Sequence, residues 1–352
     1  MTNLLECVVK SIDLRKSHYY DGQGVSYNDA IDNSRKFIEE YFYKGGKFSF
    51  LLNTITDNND YDEGRCNHVV NTYYTGLYLL GKIDYLQIKT PLFNNDKDYL
   101  WAWFLCALYH DAFAAEETDH SINCTFGYAR YSERLLYDAK TLQKYYWKNI
   151  NRGTSFDGKT HYNHGIVGAD ALYQKFIKVL EESIKNNICS ISDFFNSGAL
   201  LGCGDMDRLV SYKSFVSMCK IAKVIASHAI FIADKTEEDK FRKAGLDNLI
   251  PTNNIFCKMP NKKSRLNAYE KLYFLLSLVD NIEPTKSGCS MEDIIIDIYR
   301  INLKQYLIHI ETDKNLSAYN NYFNNLAKLP NWLSFVFCAN LKDNSIDLKL
   351  VF

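Results

Sequence analysis

Apolar residues recur along most of the chain every three or four residues, which is the spacing of one face of an α-helix. Only five prolines interrupt the 352 residues. Polar segments rich in Asn, Asp and Gly separate the apolar stretches and are typical of surface loops. The pattern predicts helices near the following ranges: 28–44, 65–80, 98–113, 124–148, 164–186, 207–233, 263–282 and 290–310. The sequence therefore predicts an all-α fold.

The last eight residues follow a different pattern. From Ser345 to Phe352, apolar residues alternate with polar or smaller ones, which is typical of a short strand or an extended tail. The helices predicted before this segment leave it without a partner strand. We therefore expect no sheet.

Composition and charge narrow the classes of function. Apolar residues make up 47% of the chain and charged residues 24%, as in an ordinary globular protein with a buried core. A formal net charge of −1 argues against an extensive nucleic-acid surface, which needs a basic face. No apolar stretch reaches the roughly 20 residues that span a membrane, and the N-terminus lacks the features of a secretory signal. We expect a cytoplasmic protein that does not bind membranes.

Side chains that can bind metals occupy positions on the predicted helices where apolar residues are expected. His110 and Asp111 close the run LWAWFLCALYHD, with His110 on the same helical face as Trp103. His228 stands in a stripe of isoleucines, and Asp280 continues an apolar face of its own helix. A buried carboxylate needs a partner, because burying an unpaired charge is costly. The positions indicate an internal site.

Each of these residues has a structural explanation when it is taken alone. His228 would then be a hydrogen-bonded core histidine, and Asp280 a helix-end carboxylate paired with Lys286. His68 would be a half-exposed surface residue. The functional interpretation depends on the whole set, which has one site on each of five predicted helices: His68, His110 with Asp111, His164, His228 and Asp280.

This order of residues resembles the HD superfamily of metal-dependent hydrolases, over roughly residues 60–285. The local contexts that carry the resemblance are LCALYHDAF, NHGIVGADALY, IASHAIF and LLSLVDNIEP. The resemblance implies that His68, His110 and Asp280 bind one metal, while His164 and His228 bind a second and Asp111 bridges the two. It also implies a helical HD-domain-like bundle over 61–310, with an N-terminal helical extension over 1–60 and a C-terminal helical extension and tail over 311–352.

The resemblance further implies one or two divalent transition metals and a phosphate-bearing substrate. Imidazole and carboxylate ligands suit Mn, Fe or Zn better than Mg or Ca, which prefer oxygen ligands. The implied activity is that of a phosphohydrolase or phosphodiesterase that acts on a nucleotide or another small phosphate ester through a metal-activated water. His110 and Asp111 would be the catalytic centre of such a site.

The segment after the His-Asp doublet departs from the family. Many members have a lysine there that is thought to bind or protonate the substrate, whereas this chain continues with Ala-Phe-Ala-Ala. Another residue must therefore bind the phosphate. The candidates are Arg65, one helical turn before His68, and Lys286, just beyond Asp280. His161, three residues before His164, is a further candidate at the substrate entrance.

Two alternatives stay open at the level of sequence. A di-iron oxygenase uses nearly the same ligand set. A nucleotide-binding regulatory module without turnover could keep the same bundle, and the missing lysine favours it. The complete ligand set favours a hydrolase, because complete sets usually imply chemistry. The sequence leaves the oligomeric state open.

Overall fold

The computed structural model describes the following residues: 2–14, 24–43, 63–88, 98–111, 165, 168–169, 172, 201–203, 206–210, 212–228, 239, 243, 266–314, 317–333 and 335–352. Its helices are α1 (Leu4–Val9), α2 (Tyr27–Ile31), α3 (Ser34–Tyr43), α4 (Glu63–Lys82), α5 (Asp98–Tyr109), α6 (Tyr212–His228), α7 (Ala268–Ile282), α8 (Ser317–Ala327) and α9 (Leu329–Trp332). Short 3-10 turns cover Asp84–Leu86 and Thr285–Ser287. None of these helices is both long enough and apolar enough to cross a membrane.

Four of the helices, α4 to α7, pack against one another. Helix α5 lies innermost, since its side chains from Trp101 onward, together with His110, are at most 2% exposed. A helix that is apolar on all sides is stable only when it is surrounded by protein. The side chain of Asn267 accepts the backbone N–H of Glu270, whose carboxylate accepts the N–H of Asn267 in return. This capping box fixes the start of α7.

The described residues also form eight strands, the last four of which lie in the C-terminal part of the chain. The strands are β1 (Ile12–Asp13), β2 (Val25–Ser26), β3 (Leu201–Cys203), β4 (Met206–Val210), β5 (Ile295–Asn302), β6 (Gln305–Glu311), β7 (Val336–Lys342) and β8 (Ser345–Val351). The first four make two hairpins, β1 with β2 and β3 with β4. The last four make an antiparallel sheet in the order β5-β6-β8-β7. The prediction of an all-α fold is therefore wrong.

The predicted helix over 290–310 is the main source of this error. The segment forms β5 and β6, which pair in antiparallel fashion on either side of a two-residue turn, Leu303-Lys304. In β6, Tyr306, Ile308 and Ile310 are buried while the residues between them are half-exposed. That alternation has period two, which is the side-chain period of a strand. The backbone of β6 pairs with β5 on one edge and with β8 on the other. The isoleucines also have a high strand propensity, because β-branched side chains suit a pleated surface.

The sequence left a strand or an extended tail open for 345–352, and the structure has a strand there, which lies inside the sheet. Strand β8 pairs with β6 on one side and with β7 on the other. Its buried residues are Ile346, Leu348 and Leu350. Helices α8 and α9 pack on the sheet, and α8 also contacts α7. The sheet and the helices therefore share one hydrophobic core, and β6 continues across the domain boundary that the sequence suggested at residue 310.

The other predicted helices differ from the structure mainly at their ends. The helix predicted over 28–44 is divided into α2 and α3, and the one predicted over 207–233 begins at Tyr212, because Met206–Val210 is a strand. The helix predicted over 263–282 begins at Ala268. Within 164–186, the four described residues are helical. The helix predicted over 124–148 lies outside the described residues.

Candidate metal centre

Five of the predicted metal ligands lie together where the core helices meet. His68 lies in the second turn of α4, and His110 and Asp111 directly follow α5. His228 ends α6, and Asp280 lies in the last turn of α7. Since these helices pack on one another, residues far apart in the sequence reach one place.

The distances between the side chains suit a shared ion. The Nε2 atoms of His68 and His110 are 3.3 Å apart, and Asp111 Oδ2 is 3.7 Å from the Nε2 of His68. Asp280 Oδ1 is 3.4 Å from the Nε2 of His110. Ligand atoms bound about 2.0–2.2 Å from one ion are themselves roughly 3–4 Å apart. Candidate ligand atoms of His68, His110 and Asp111 all lie within 4.8 Å of one another.

The hydrogen bonds of two histidines determine which ring nitrogen is available to a metal. The Nδ1–H of His110 donates to the carbonyl oxygen of Ala107 at 2.9 Å, and that of His228 donates to Ile225 at 2.6 Å. A carbonyl oxygen only accepts, so Nδ1 carries the proton and Nε2 keeps its lone pair when the ring is neutral. The two rings lie 5.2 Å apart between centroids.

Glu283 belongs to the cluster and is absent from the predicted site. Its Oε2 lies 3.0 Å from Nδ1 of His68, and its Oε1 accepts the backbone N–H of Thr285 at 3.1 Å. The residue is 1% exposed. The sequence signal is faint: Glu283 follows Asp280 by three residues, which puts both on one side of the chain at the end of α7. Only the fold shows that this side meets His68.

Lys286 balances part of the negative charge of the cluster. Its Nζ lies 2.9 Å from Oδ1 and 3.2 Å from Oδ2 of Asp280. Burial disfavours the charge of Asp280, but Lys286 and His110 hold the pKa of its carboxyl group well below its usual range. Partial loss of water around Nζ disfavours the ammonium form of Lys286, yet Asp280, Asp111 and Glu283 raise the pKa of that lysine. These three carboxylates exceed the one ammonium group by two charges, which a divalent cation would neutralise.

Two glycines allow a further segment to approach the cluster. A Cβ atom at Gly165 would lie 2.7 Å from Cε1 of His228, and one at Gly168 would lie 2.0 Å from the carbonyl oxygen of Tyr109. Only glycine fits at contacts this short. His164 directly precedes Gly165, but His164 and the predicted substrate ligand His161 both lie outside the described residues. Their roles stay predictions.

Arg65, the other predicted substrate ligand, lies on α4 three residues before His68 and is half-buried. Residues three apart share one side of a helix, so its side chain leaves α4 on the side that carries His68. A role in substrate binding stays a prediction.

The donor set fits a transition metal. In their neutral forms, with Nδ1 protonated, His68 and His110 direct two Nε2 lone pairs at each other across 3.3 Å. Such a contact is repulsive unless a proton or a metal ion lies between the two atoms. Imidazoles combined with carboxylates suit Zn, Fe or Mn ions.

No protein-family model matches this sequence, no curated protein matches it, and no solved structure matches its fold. The resemblance to the HD superfamily therefore rests on the order of the motifs. The geometry of the cluster supports a metal centre but does not identify a protein family.

Proposed function

We propose that this protein is a metal-dependent phosphohydrolase or phosphodiesterase of the HD type, which hydrolyses a nucleotide or another small phosphate ester. One observation carries the proposal: α4, the turn after α5 and the last turn of α7 bring the Nε2 atoms of His68 and His110 to 3.3 Å, with the carboxylates of Asp111 and Asp280 within 3.7 Å of one or the other. Buried, converging groups of this kind are typical of sites that do chemistry.

The ligands divide into two groups. His68, His110 and Asp280 would hold one ion, His228 with His164 would hold the other, and Asp111 would bridge them. When bound, the ions supply a water of lowered pKa and a positive clamp on the phosphoryl oxygens. The donors are imidazoles and carboxylates, so Mn, Fe or Zn is the expected metal.

Lys286 is the residue that we assign to the substrate phosphate. The chain has no lysine directly after the His-Asp doublet, and Lys286 brings an ammonium group to within 2.9 Å of Asp280. Its side chain is 40% exposed, so a ligand can reach it from solvent. An ammonium group binds a phosphate oxygen as a point charge. Arg65 stays a second candidate for the phosphate, and His161 a candidate at the substrate entrance.

A cytoplasmic location is part of the proposal. Five cysteines among those whose side chains the structure describes are free thiols, as expected in a reducing compartment: Cys7, Cys66, Cys106, Cys289 and Cys338.

The decisive experiment combines metal analysis with a screen of nucleotides, cyclic nucleotides and phosphate esters in the presence of Mn²⁺. We expect the wild-type protein to contain transition metal and to release phosphate or a nucleoside product. The double variant His110→Ala, Asp111→Ala should lose both metal and turnover while its circular dichroism stays largely that of the wild type. His309→Ala is the matched control, because His309 lies in strand β6 outside the cluster. A double variant that keeps full metal content and turnover would refute the proposal.

The same assay without oxygen separates hydrolysis from oxidation. Hydrolysis needs only water, so turnover should be unchanged under anaerobic conditions. Turnover that stops without oxygen and yields no phosphate or nucleoside would identify a di-iron oxygenase instead. Binding of a nucleotide without any turnover would identify a regulatory module.

Two single variants test whether His164 or His161 is the metal ligand. Asn163 is a good N-cap residue, so we expect a helix to begin beside His164 while His161 lies before it. A ligand on a helix is held more firmly than one in a loop. His164→Ala should therefore lose the second metal and most activity, whereas His161→Ala should keep both metals and change mainly the substrate affinity. The opposite ranking in metal content would show that the ligand is His161.

A further inference from the structure

Glu283 is a buried carboxylate at the C-terminal end of α7, and it is 1% exposed. Burying a carboxylate is costly unless hydrogen bonds replace its water shell. Both of its oxygens have such partners, since Oε1 accepts the backbone N–H of Thr285 and Oε2 contacts Nδ1 of His68. The protein therefore keeps this charge beside one particular imidazole ring.

The contact determines which nitrogen of His68 carries the proton. An ionised carboxylate only accepts hydrogen bonds, so Nδ1 must donate. Nε2 then keeps its lone pair when the ring is neutral, and it points to His110 Nε2 at 3.3 Å. A carboxylate that holds a histidine in this way fixes the ring and makes the other nitrogen a stronger metal ligand.

His68 differs in this respect from the other two described histidines of the cluster. His110 and His228 donate through Nδ1 to carbonyl oxygens three residues earlier in their own segments. These bonds are local, so they form whenever the helix forms. The partner of His68 lies 215 residues away in the sequence, so its orientation depends on the packing of α4 against the end of α7.

We propose that Glu283 is a positioning residue, which holds His68 in the Nδ1-protonated form and so raises the affinity of the site for its metal. The inference rests on the metal centre of the proposed function, but it does not depend on the reaction or on the substrate. Its place in the proposal is behind the ring, because its Oε2 contacts Nδ1 of His68 and not Nε2, the nitrogen that faces His110.

The test compares metal affinity in Glu283→Gln and in a matched control, Glu270→Gln. Glu270 is also a buried glutamate of α7, 8% exposed, but it lies at the first turn and caps the helix. Metal-free proteins are titrated with Mn²⁺ alone and with Zn²⁺ alone against a competing chelator. We expect the affinity of Glu283→Gln to fall by about 10–100-fold, as is usual when the carboxylate behind a ligating histidine is lost. Glu270→Gln should bind like the wild type.

The melting temperature of each metal-free variant separates positioning from a structural role. A merely structural role would lower the melting temperature of Glu283→Gln and leave its metal affinity unchanged, and that result would overturn the inference. A wild-type protein that binds neither ion would overturn both the inference and the proposed function. Wild-type binding with unchanged binding by Glu283→Gln would overturn the inference alone.

A second measurement needs no variant at Glu283. Nitrogen-15 NMR of the metal-free wild type, at a pH high enough for the ring of His68 to be neutral, reports which ring nitrogen carries the proton. His68→Gln identifies the signal of His68 by its loss. We expect His68 to be protonated at Nδ1. Protonation at Nε2 would overturn the inference.

Discussion

Replacing Gly76 by alanine should destabilise the protein, although alanine favours a helix. Gly76 lies within α4 and faces the indole ring of Trp103 on α5. A Cβ atom at Gly76 would be 2.1 Å from Cζ2 and 2.6 Å from Nε1 of that ring. Trp103 is fully buried, and its Nε1–H donates to the carbonyl oxygen of Tyr73 at 2.9 Å. A shift of the ring would therefore disturb both its packing and this hydrogen bond.

The size of the destabilisation follows from one stabilising and two destabilising effects. Alanine gains about 1 kcal/mol over glycine in the interior of a helix. Carbon atoms in contact are normally about 3.5–4.0 Å apart, so the ring of Trp103 must move by more than about 1 Å. Overpacking of this kind costs about 1–3 kcal/mol, and a weakened hydrogen bond from Trp103 costs about 1 kcal/mol more. We expect a net loss of about 1–3 kcal/mol in the free energy of unfolding.

The assay is equilibrium unfolding in urea, followed by circular dichroism, on the metal-free protein. Gly81→Ala is the matched control, since Gly81 lies in the same helix and a Cβ atom there would meet nothing within 4 Å. The control should be unchanged or stabilised by up to about 1 kcal/mol. A Gly76→Ala variant at least as stable as Gly81→Ala would show that α4 and α5 do not pack as described.

Two further predictions concern other parts of the fold. Gly168→Ala should lower the free energy of unfolding by at least about 1–3 kcal/mol, because its Cβ would meet the backbone oxygen of Tyr109 at 2.0 Å and the backbone moves less easily than a side chain. Urea unfolding measures this loss. A variant as stable as the wild type would contradict the packing of Gly168 against Tyr109. Burial disfavours the charge of His309, but hydrogen bonds to Asp347 and Glu311 raise its pKa above the usual value. Its stabilising contribution should be complete below about pH 6.5 and should disappear as the pH rises through the raised pKa. The stability difference between wild type and His309→Gln should therefore shrink from acidic to alkaline pH, and a constant difference would contradict the pairing.

The positions of the helical ligands could be predicted from the sequence, because a polar residue inside an apolar helix is visible locally. His110 and His228 interrupt strongly apolar stretches, and helical spacing alone places them on inner faces. The prediction that these residues converge on one site came from the resemblance to the HD superfamily. The structure brings these residues together through the packing of α4 to α7, which no local pattern specifies.

The sheet and Glu283 could not be predicted in the same way. The isoleucines of 290–310 satisfy a helical and an alternating pattern about equally, and the choice depends on β6 pairing with β8, about 40 residues later. Local periodicity contains no information about that pairing. Glu283 follows the end of a helix, where an exposed carboxylate is ordinary, and its importance comes only from its contact with His68.

The spread of the cluster along the chain also affects how the protein is made. His68 and Glu283 are separated by 215 residues, which a ribosome adds in roughly 10–40 s at about 5–20 residues per second. During that interval the nascent chain exposes His68 and His110 without Asp280 and Glu283. An ion captured then would be held by an incomplete set of ligands and would exchange readily. Stable loading of the proposed centre would have to wait until α7 has left the ribosome and packed, so the metal available to the finished chain would decide which ion the centre retains.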